Sequence, residues 1–287
     1  MNLTKNLLIE KKYKEVQTPL ILNYMQAIPF MTNESQQNQV KLQGPSGEVL
    51  ILRGDSTIAL VIGNVLPSFE NSIRLFYDEP NFTHDFEKRI INEVRQMGVE
   101  ILQKSSSDAI FTEAFTLAIT IAQMLCGENI LIEISNATGL TNVISKLVDG
   151  DSKKLDALKY YLTRKNTREA VKILSDTTLG EMAQQVVETL LTTPRNRNFY
   201  LTDMATLEAF TPISQWLTNI QETLASFSSL DINFDPALTV DKPYYTGETF
   251  KIYDTKRHRT LITGGTYGFE PYGINGCGFS ILMGGTA

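Results

Sequence analysis

The C-terminal stretch, residues 231–283, is the feature that most constrains how this chain can fold. Apolar residues recur at alternate positions in it, for example at Phe250 and Ile252, as they do in half-buried strands. Glycines crowd the joins between these segments, where a Cβ would obstruct a turn or a ligand. They are Gly264, Gly265, Gly268, Gly273 and Gly276. The stretch therefore predicts consecutive strands connected by tight joins.

Upstream patterns predict shorter elements before this stretch. A hairpin-like turn at Gly44 to Gly47 precedes a predicted strand at residues 49–53. Asp55 then stands where a helix N-cap belongs, ahead of an apolar run at residues 57–66. A further strand is predicted at residues 72–77.

The middle of the chain reads mainly as helix. Asp108 is predicted to cap a helix that runs to Leu125, and Gly127 follows as its stop signal. After a predicted strand at residues 129–135, residues 147–193 are polar and helical in pattern, without strand candidates. Residues 201–227 predict more helix, interrupted near Pro212, with an apolar stripe around Trp216 that indicates core.

Composition narrows the class of protein. The 287 residues are 42% hydrophobic, enough for a buried core, and no apolar run approaches 18 residues, so we expect a soluble, cytoplasmic chain. The N-terminus lacks the apolar block of a signal peptide. Two cysteines and two widely separated histidines indicate neither a disulfide framework nor a metal site, and no cofactor is expected.

Charge argues against a nucleic-acid partner. The net charge is −6 and the pI is about 5.1, whereas nucleic-acid binding normally requires a basic face. Basic residues do cluster between Lys153 and Arg168, and a solvated helical face explains them better.

Several motifs resemble the core of class II aminoacyl-tRNA synthetases, and within that class the histidyl branch. The final strands of that branch carry RGLDYYTG, GGGRYD and GFAIGLER, and here the matching segments are VDKPYYTG, GGTYGF and GFSILMGG. Upstream, SGEVLILRGDSTIAL resembles SGRxLxLRPExTxxxAR, and RQMGVE resembles the end of YREFHQFGVE. The resemblance implies an α+β fold with an antiparallel sheet flanked by helices, in one domain over residues 1–287. It also implies a helical insertion at residues 147–193 and no anticodon-binding domain.

The resemblance also shows what is missing. Arginines that hold the triphosphate in the family are replaced by Thr83, Val240 and Gly285. Arginine suits that role because its planar fork binds phosphate oxygens through two hydrogen bonds and stays protonated. Removing one such donor typically costs about 3 kcal/mol in the transition state, so losing three predicts no synthetase activity.

The family's amino-acid pocket, by contrast, is kept in chemical type. The resemblance assigns histidine binding to Asp55, Thr57, Gln96, Glu100, Tyr245 and Tyr267. Asp55 and Thr57 are expected to hold the α-ammonium, while Glu100 and Tyr245 pair with the two imidazole nitrogens. Other interpretations stay open for single residues: the tyrosines as core aromatics, Asp55 as an ordinary helix cap, and Glu100 and Gln96 as surface residues.

A synthetase-like core without phosphate-binding arginines but with a histidine pocket is similar to the regulatory subunit family of ATP phosphoribosyltransferase. That family implies a non-catalytic chain that partners a short-form catalytic subunit, four copies of each in a hetero-octamer. It implies histidine as feedback effector in histidine biosynthesis, and dimerisation through the motif 1 region, here KEVQTP. The rival hypotheses are a degenerate synthetase that still activates histidine, and a free-standing amino-acid-binding or tRNA-related module.

Overall fold

The computed structural model describes residues 2–63, 65–104, 109–191, 210–227, 229–235, 238 and 244–282. The chain divides into two compact units. Unit 1 comprises Met1–Leu125, Asp241–Tyr245 and Arg259–Ala287, and unit 2 comprises Cys126–Val240 and Thr246–His258. Whether the two units make up the single domain expected for residues 1–287 stays a prediction.

The described elements are named here in chain order. The helices are α1 (Asn2–Glu10), α2 (Tyr24–Ala27), α3 (Asn33–Gln37), α4 (Ser56–Ile62), α5 (Ala109–Cys126), α6 (Ala137–Leu147), α7 (Ser152–Thr163), α8 (Thr167–Ser175), α9 (Ala183–Leu191), α10 (Thr211–Asn219) and α11 (Gln221–Ala225). The strands are β1 (Lys14–Glu15), β2 (Ile21–Asn23), β3 (Lys41–Gln43), β4 (Val49–Leu52), β5 (Ser72–Asp85), β6 (Ile90–Gln103), β7 (Ile130–Asn136), β8 (Ile232–Phe234), β9 (Tyr245–Asp254), β10 (Arg259–Phe269) and β11 (Ile274–Leu282).

Unit 1 contains two sheets. In the larger one the strand order is β1-β5-β6-β11-β10, and in the smaller one it is β2-β4-β3. Every pairing in these orders is antiparallel except that of β1 with β5, which is parallel. The expected antiparallel sheet is therefore mixed. The parallel pair arises because more than fifty residues of other elements separate β1 from β5, and parallel neighbours need such a crossover.

The two long strands of unit 1, β5 and β6, form a hairpin, and the sequence predicts only the first part of β5 as strand. β5 and β6 pair without interruption from Ser72↔Gln103 to Asp85↔Ile90. Strand was predicted only for residues 72–77, because Pro80 and the polar residues after Tyr77 do not look like strand in isolation. Direct pairing with β6 extends β5 to Asp85.

Helix α4 lies in the core of unit 1. All seven of its residues are buried, and Asp55 caps it, because one carboxylate oxygen accepts from the backbone N–H of Ile58 at 3.1 Å. This confirms the predicted cap. The helix ends at Ile62, four residues short of the predicted run, where Gly63 follows and a Cβ would lie 2.5 Å from the ring of Pro19.

Unit 2 combines three strands with helices. Its strand order is β9-β7-β8, with β7 parallel to β8 and antiparallel to β9. The predicted insertion contains α7, α8 and α9, and the described residues of 147–193 include no strand. Residues 192 and 193 lie outside the described residues, as does the predicted cap Asp108, whereas Gly127 has the positive φ of +62° expected after α5.

The helical segment predicted for residues 201–227 is described only from residue 210 onward, because residues 201–209 lie outside the described residues. Pro212, near which an interruption was predicted, lies in the first turn of α10, where a proline lacks no needed N–H. A break also falls at Ile220, between α10 and α11. Trp216 is buried as predicted, with its ring centroid 5.5 Å from that of Phe234.

Within the part of the chain that the structure describes, no helix is both long enough and apolar enough to cross a membrane.

Candidate ligand-binding site

The candidate site centres on the carboxyl group of Glu100, on β6 in unit 1. Glu100 is 1% exposed and accepts three hydrogen bonds, all from hydroxyl groups. Thr57 Oγ1 donates to Oε1 at 2.7 Å, the Tyr77 hydroxyl donates to Oε1 at 3.1 Å, and the Tyr267 hydroxyl donates to Oε2 at 2.5 Å. Residues from α4, β5, β6 and β10 thus converge on one buried carboxyl group, called here the Glu100 cluster.

Glycines make room for this cluster on the sheet. Gly278 lies opposite Glu100 in the register, and a Cβ there would be 1.9 Å from Glu100 Oε2. A Cβ on Gly98 would lie 2.0 Å from the ring of Tyr77, and one on Gly276 would lie 2.6 Å from the ring of Tyr267. Since real Cβ atoms essentially never make contacts this short, the side chains of Glu100, Tyr77 and Tyr267 each lie over a position that favours glycine.

A second carboxylate, Asp55, lies beside the cluster. While one of its oxygens caps α4, the other accepts from the Tyr244 hydroxyl at 2.8 Å. Tyr244 in turn stacks on Tyr245, with ring centroids 5.4 Å apart, and meets Tyr267 edge to face at 5.9 Å. Three tyrosine rings therefore pack together beside the two carboxylates.

Burial controls the ionisation of these groups. It raises the pKa of Glu100 from 4.5 to about 7, and the nearby Asp55 adds to the rise, while the three hydroxyl donors oppose it. Burial also raises the pKa values of Tyr77, Tyr244 and Tyr267 well above their usual value of 10. The phenols consequently stay protonated as donors, and Glu100 exchanges its proton near neutral pH.

The structure brings together five of the six residues predicted for histidine binding. Asp55, Thr57, Glu100, Tyr245 and Tyr267 lie in or beside the cluster. Gln96 lies on the same face of β6 but four residues before Glu100, about 13 Å along the strand. It is half-buried and pairs in the register with Glu79 and Leu282.

Sequence reasoning missed two residues of the site. Tyr77 ends the predicted strand at residues 72–77, and its role depends on the register that places it opposite Gly98. Tyr244 precedes the predicted Tyr245, and its hydroxyl reaches Asp55 across 189 positions of sequence. The tyrosine pair in PYYTG was a signal that both rings belong to the site.

Of the three positions predicted to replace family arginines, the structure describes Thr83, whereas Val240 and Gly285 lie outside the described residues. Thr83 is on β5 near the hairpin end, on the face that carries Tyr77 and Glu100, called here the front face. The neighbouring front-face positions of β5 and β6 contain no arginine or lysine: Glu79, Asn81, Thr83, Asp85, Ile90, Asn92, Val94 and Gln96.

Two cations approach this face from other segments. Arg53 is 3% exposed, and its guanidinium binds Glu79 at 3.1 Å, the carbonyl oxygen of Pro80 at 2.8 Å and the carbonyl oxygen of Thr18 at 2.8 Å. The N–H donors of Arg53 are therefore bound to oxygen atoms of the protein itself. Lys88, in the hairpin turn, is exposed and lies 3.8 Å from Asp85. Among the described residues, no group of three or more His, Cys, Asp and Glu is arranged to hold a metal ion.

Comparison with curated proteins finds relatives named as ATP phosphoribosyltransferase regulatory subunits. The ATP phosphoribosyltransferase regulatory subunit of Halalkalibacterium halodurans is 25% identical over 278 residues, covering 89% of this chain and 65% of the relative. The protein of the same name from Streptococcus thermophilus is 26% identical over 285 residues, covering 93% of this chain and 81% of the relative. The chain thus spans just under two thirds of the first relative and about four fifths of the second.

Solved structures agree on the fold. A protein from Bacillus halodurans C, described as an ATP phosphoribosyltransferase regulatory subunit/histidyl-tRNA synthetase, aligns with a TM-score of 0.82 at 20% identity, covering 98% of this chain and 75% of its own. A chain of the ATP phosphoribosyl transferase (HisG:HisZ) complex from Thermotoga maritima aligns with a TM-score of 0.70 at 18% identity. The alignment covers 99% of this chain and 96% of that one. The fold is therefore the class II fold of histidyl-tRNA synthetase-like proteins, with a mixed sheet and flanking helices.

The family model described as histidyl-tRNA synthetase matches residues 5–284. Because this match includes nearly every residue of both units and all of the Glu100 cluster, the chain belongs to the histidyl-tRNA synthetase family.

Proposed function

We propose that this chain is the non-catalytic regulatory subunit of an ATP phosphoribosyltransferase, and that it binds free histidine at the Glu100 cluster. The observation that carries the proposal is the chemistry of the front face. It carries a buried carboxyl group with hydroxyl donors, whereas neither Thr83 nor the neighbouring front-face positions of β5 and β6 supply an arginine or lysine. A site of this kind suits a small amino acid better than a nucleotide.

Histidine fits the cluster through its two ends. The α-ammonium lies against the Asp55 carboxylate and the Thr57 hydroxyl. Asp55 caps α4, and Thr57 is in the first turn of that helix. The imidazole lies between Glu100 and Tyr245, where one ring nitrogen donates and the other accepts. Gln96 lies further along the front face, about 13 Å from Glu100 along the strand, so one histidine bound at Glu100 does not reach it. Tyr77 and Tyr267 hold Glu100 in place through their hydroxyls.

Adenylation of histidine is not expected at this site. Bound ATP carries about four negative charges, and its reaction needs fixed cations where charge develops. Here Glu79 and Asp85 add negative charge to the front face, and the Arg53 guanidinium is already bound to Glu79, Pro80 and Thr18. These contacts support a chain without an active site of its own.

The partner we propose is the short-form catalytic subunit of the same transferase, four copies of each chain in a hetero-octamer, in the cytoplasm. The names of the relatives, which include a regulatory subunit and a chain of a transferase complex, support the choice of partner. Two chains of this protein would associate through the motif 1 region around β1. Histidine would favour an inactive arrangement of the complex. Reciprocity then requires the catalytic substrates to weaken histidine binding by the same factor, with a typical coupling of about 1–3 kcal/mol.

Calorimetric titration with histidine and, separately, with ATP tests the proposal. Histidine is expected to bind the isolated chain without ATP, and the assembled complex is expected to lose transferase activity as histidine binds. The variant Glu100→Ala should lose histidine binding, whereas Glu113→Ala, at a carboxylate on α5, should keep it. Equal histidine affinity with and without saturating catalytic substrates would reject the proposed coupling.

A degenerate histidyl-tRNA synthetase is the second candidate function, and the match to the synthetase family model favours it. Such an enzyme would exchange pyrophosphate into ATP in a histidine-dependent manner. Measurable exchange that disappears in Glu100→Ala would establish the synthetase and reject the regulatory assignment.

A further inference from the structure

We propose that Glu100 and the ring of its ligand share a single proton, so that the site selects an amino acid whose side chain is a titratable imidazole. Binding then takes up a proton above neutral pH and releases one below it. This inference rests on the proposed histidine-binding function and adds the charge state in which the ligand is held.

The first step is the count of hydrogen bonds at Glu100. An ionised carboxylate offers about four acceptor positions, and three hydroxyl groups from Thr57, Tyr77 and Tyr267 occupy three of them. One position is left for a donor from the ligand. A ring N–H of imidazole supplies such a donor when Glu100 is ionised, and a ring nitrogen accepts when Glu100 carries the proton.

The second step is charge. Among the residues that the structure describes, the groups that face Glu100 are Asp55 and Thr57 from the start of α4, Tyr77 from β5, Tyr245 from β9 and Tyr267 from β10, and β11 presents Gly278. None of these groups is a cation, and Asp55 is a second carboxylate. A buried, ionised Glu100 is costly without a positive partner. The ligand ammonium neutralises Asp55, so Glu100 still requires one proton, either its own or that of the ring.

The third step is the balance of protons. Free Glu100 has a pKa of about 7 and free imidazole has one of about 6.5, so the two groups lose their protons over the same pH range. At pH 8.5 both are deprotonated before they meet, and one proton from solvent must enter between the carboxylate oxygen and the ring nitrogen. At pH 5.5 both are protonated, and one proton must leave. No other bond forms or breaks.

Affinity should therefore be highest near pH 7 and fall on both sides. On the alkaline side, the dissociation constant is expected to rise about tenfold per pH unit, because one proton is taken up per ligand bound. A ligand with a neutral amide side chain, such as glutamine, lacks the titratable nitrogen and should therefore lack the acid limb, whereas Glu100 itself still takes up a proton on the alkaline side.

The test is calorimetric titration of the full chain with L-histidine between pH 5.5 and 8.5, in pairs of buffers with different ionisation enthalpies. We expect uptake of close to one proton per histidine at pH 8.5 and release at pH 5.5. In Glu100→Gln the uptake at pH 8.5 should vanish. The ligand ammonium titrates equally in both proteins, so subtracting the slope of the variant isolates the proton shared with Glu100.

Two further variants keep the test decisive. In Tyr267→Phe, Glu100 loses a donor that favours its ionised form, so proton uptake should begin at a higher pH than in the wild type. Glu113→Gln is the matched control and should keep the wild-type profile. Tight histidine binding without proton uptake between pH 7 and 8.5 would overturn this inference alone. Absence of histidine binding at every pH would overturn both it and the proposed function.

Discussion

Two glutamates on opposite faces of the larger sheet of unit 1 are held in different ways. Glu113, on α5, accepts from Arg74 Nε and Nη2 at 2.6 Å each, and from the Tyr13 hydroxyl at 3.0 Å. These partners, above all Arg74, lower the pKa of Glu113. Glu100 accepts only from hydroxyl groups among the described contacts, and burial raises its pKa to about 7.

The difference separates a structural carboxylate from one that is available to a ligand. Arg74 neutralises Glu113 within the protein, so that ion pair fastens β5 to α5 and needs nothing further. Glu100 is buried with neutral donors only, and its charge stays uncompensated until a cationic group or a proton arrives. Glu113 thus has a structural role on one face of the sheet, whereas Glu100 is a candidate binding group on the other.

Among the variants that test this contrast, Gly278→Ala is expected to have the largest effect on stability and on histidine binding. Its Cβ would lie 1.9 Å from Glu100 Oε2 and 2.6 Å from the carbonyl oxygen of Val99, which is backbone and cannot rotate away. Overpacking of this kind typically costs 1–3 kcal/mol, and we expect a loss of about 3 kcal/mol here together with loss of histidine binding. Urea denaturation and calorimetry measure the two effects.

Gly47→Ala is the control for this substitution. Gly47 has a φ of +86° in the turn between β3 and β4, with no atom near the position of its Cβ. Only backbone strain of about 1 kcal/mol is expected there, with histidine binding unchanged. Equal losses of stability in the two variants would mean that Gly278 is not needed for space around Glu100.

The second prediction concerns stability and pH at Glu100. Its pKa is raised from 4.5 to about 7, so the folded state holds this proton more tightly than the unfolded state does. The stability that this tighter binding of the proton contributes is complete below pH 4.5 and is lost as pH rises through 7. The free energy of unfolding changes by about 3 kcal/mol between pH 4.5 and 8 for this reason. Glu100→Gln has no such proton to lose, so the stability of the variant relative to wild type should rise by that amount. A difference that stays constant over this range would show that folding does not raise the pKa of Glu100.

Much of the fold could be predicted from the sequence because its signals are local. The N-cap at Asp55, the turn at Gly47 and the alternation in β9 and β11 each depend on residues within a few positions of one another. The second half of β5 could not, because residues after Tyr77 look polar and include Pro80. Pairing with β6, which is a tertiary effect, makes them strand.

The site shows the same division. The motif frame identified Glu100, Thr57 and Tyr267, which the structure joins by hydrogen bonds. Tyr77 stayed hidden because its contact with Glu100 depends on the exact strand register and on the glycine opposite it. Tyr244 stayed hidden because nothing in PYYTG says which of two adjacent tyrosines reaches Asp55. Residue type could be predicted from sequence, whereas which hydroxyl bonds which oxygen could not.

The smallest expected effect is that of Glu113→Gln on stability, and its pH dependence tests the contrast between Glu113 and Glu100. Its pKa is lowered, so the stability that its ion pair supplies is present above pH 4.5 and is lost as pH falls through the folded pKa. Both side chains of the pair are about one third exposed, at 37% and 35%, and water screens them, so Glu113→Gln should cost only about 1 kcal/mol at pH 7. As pH falls below the lowered pKa of Glu113 the variant and the wild type should converge, which is the opposite pH dependence to that of Glu100→Gln. Urea denaturation of both variants across the same pH series measures the two slopes side by side. If they had the same sign, the contrast between a carboxylate held by a guanidinium and one held by hydroxyls would not govern the ionisation of this unit.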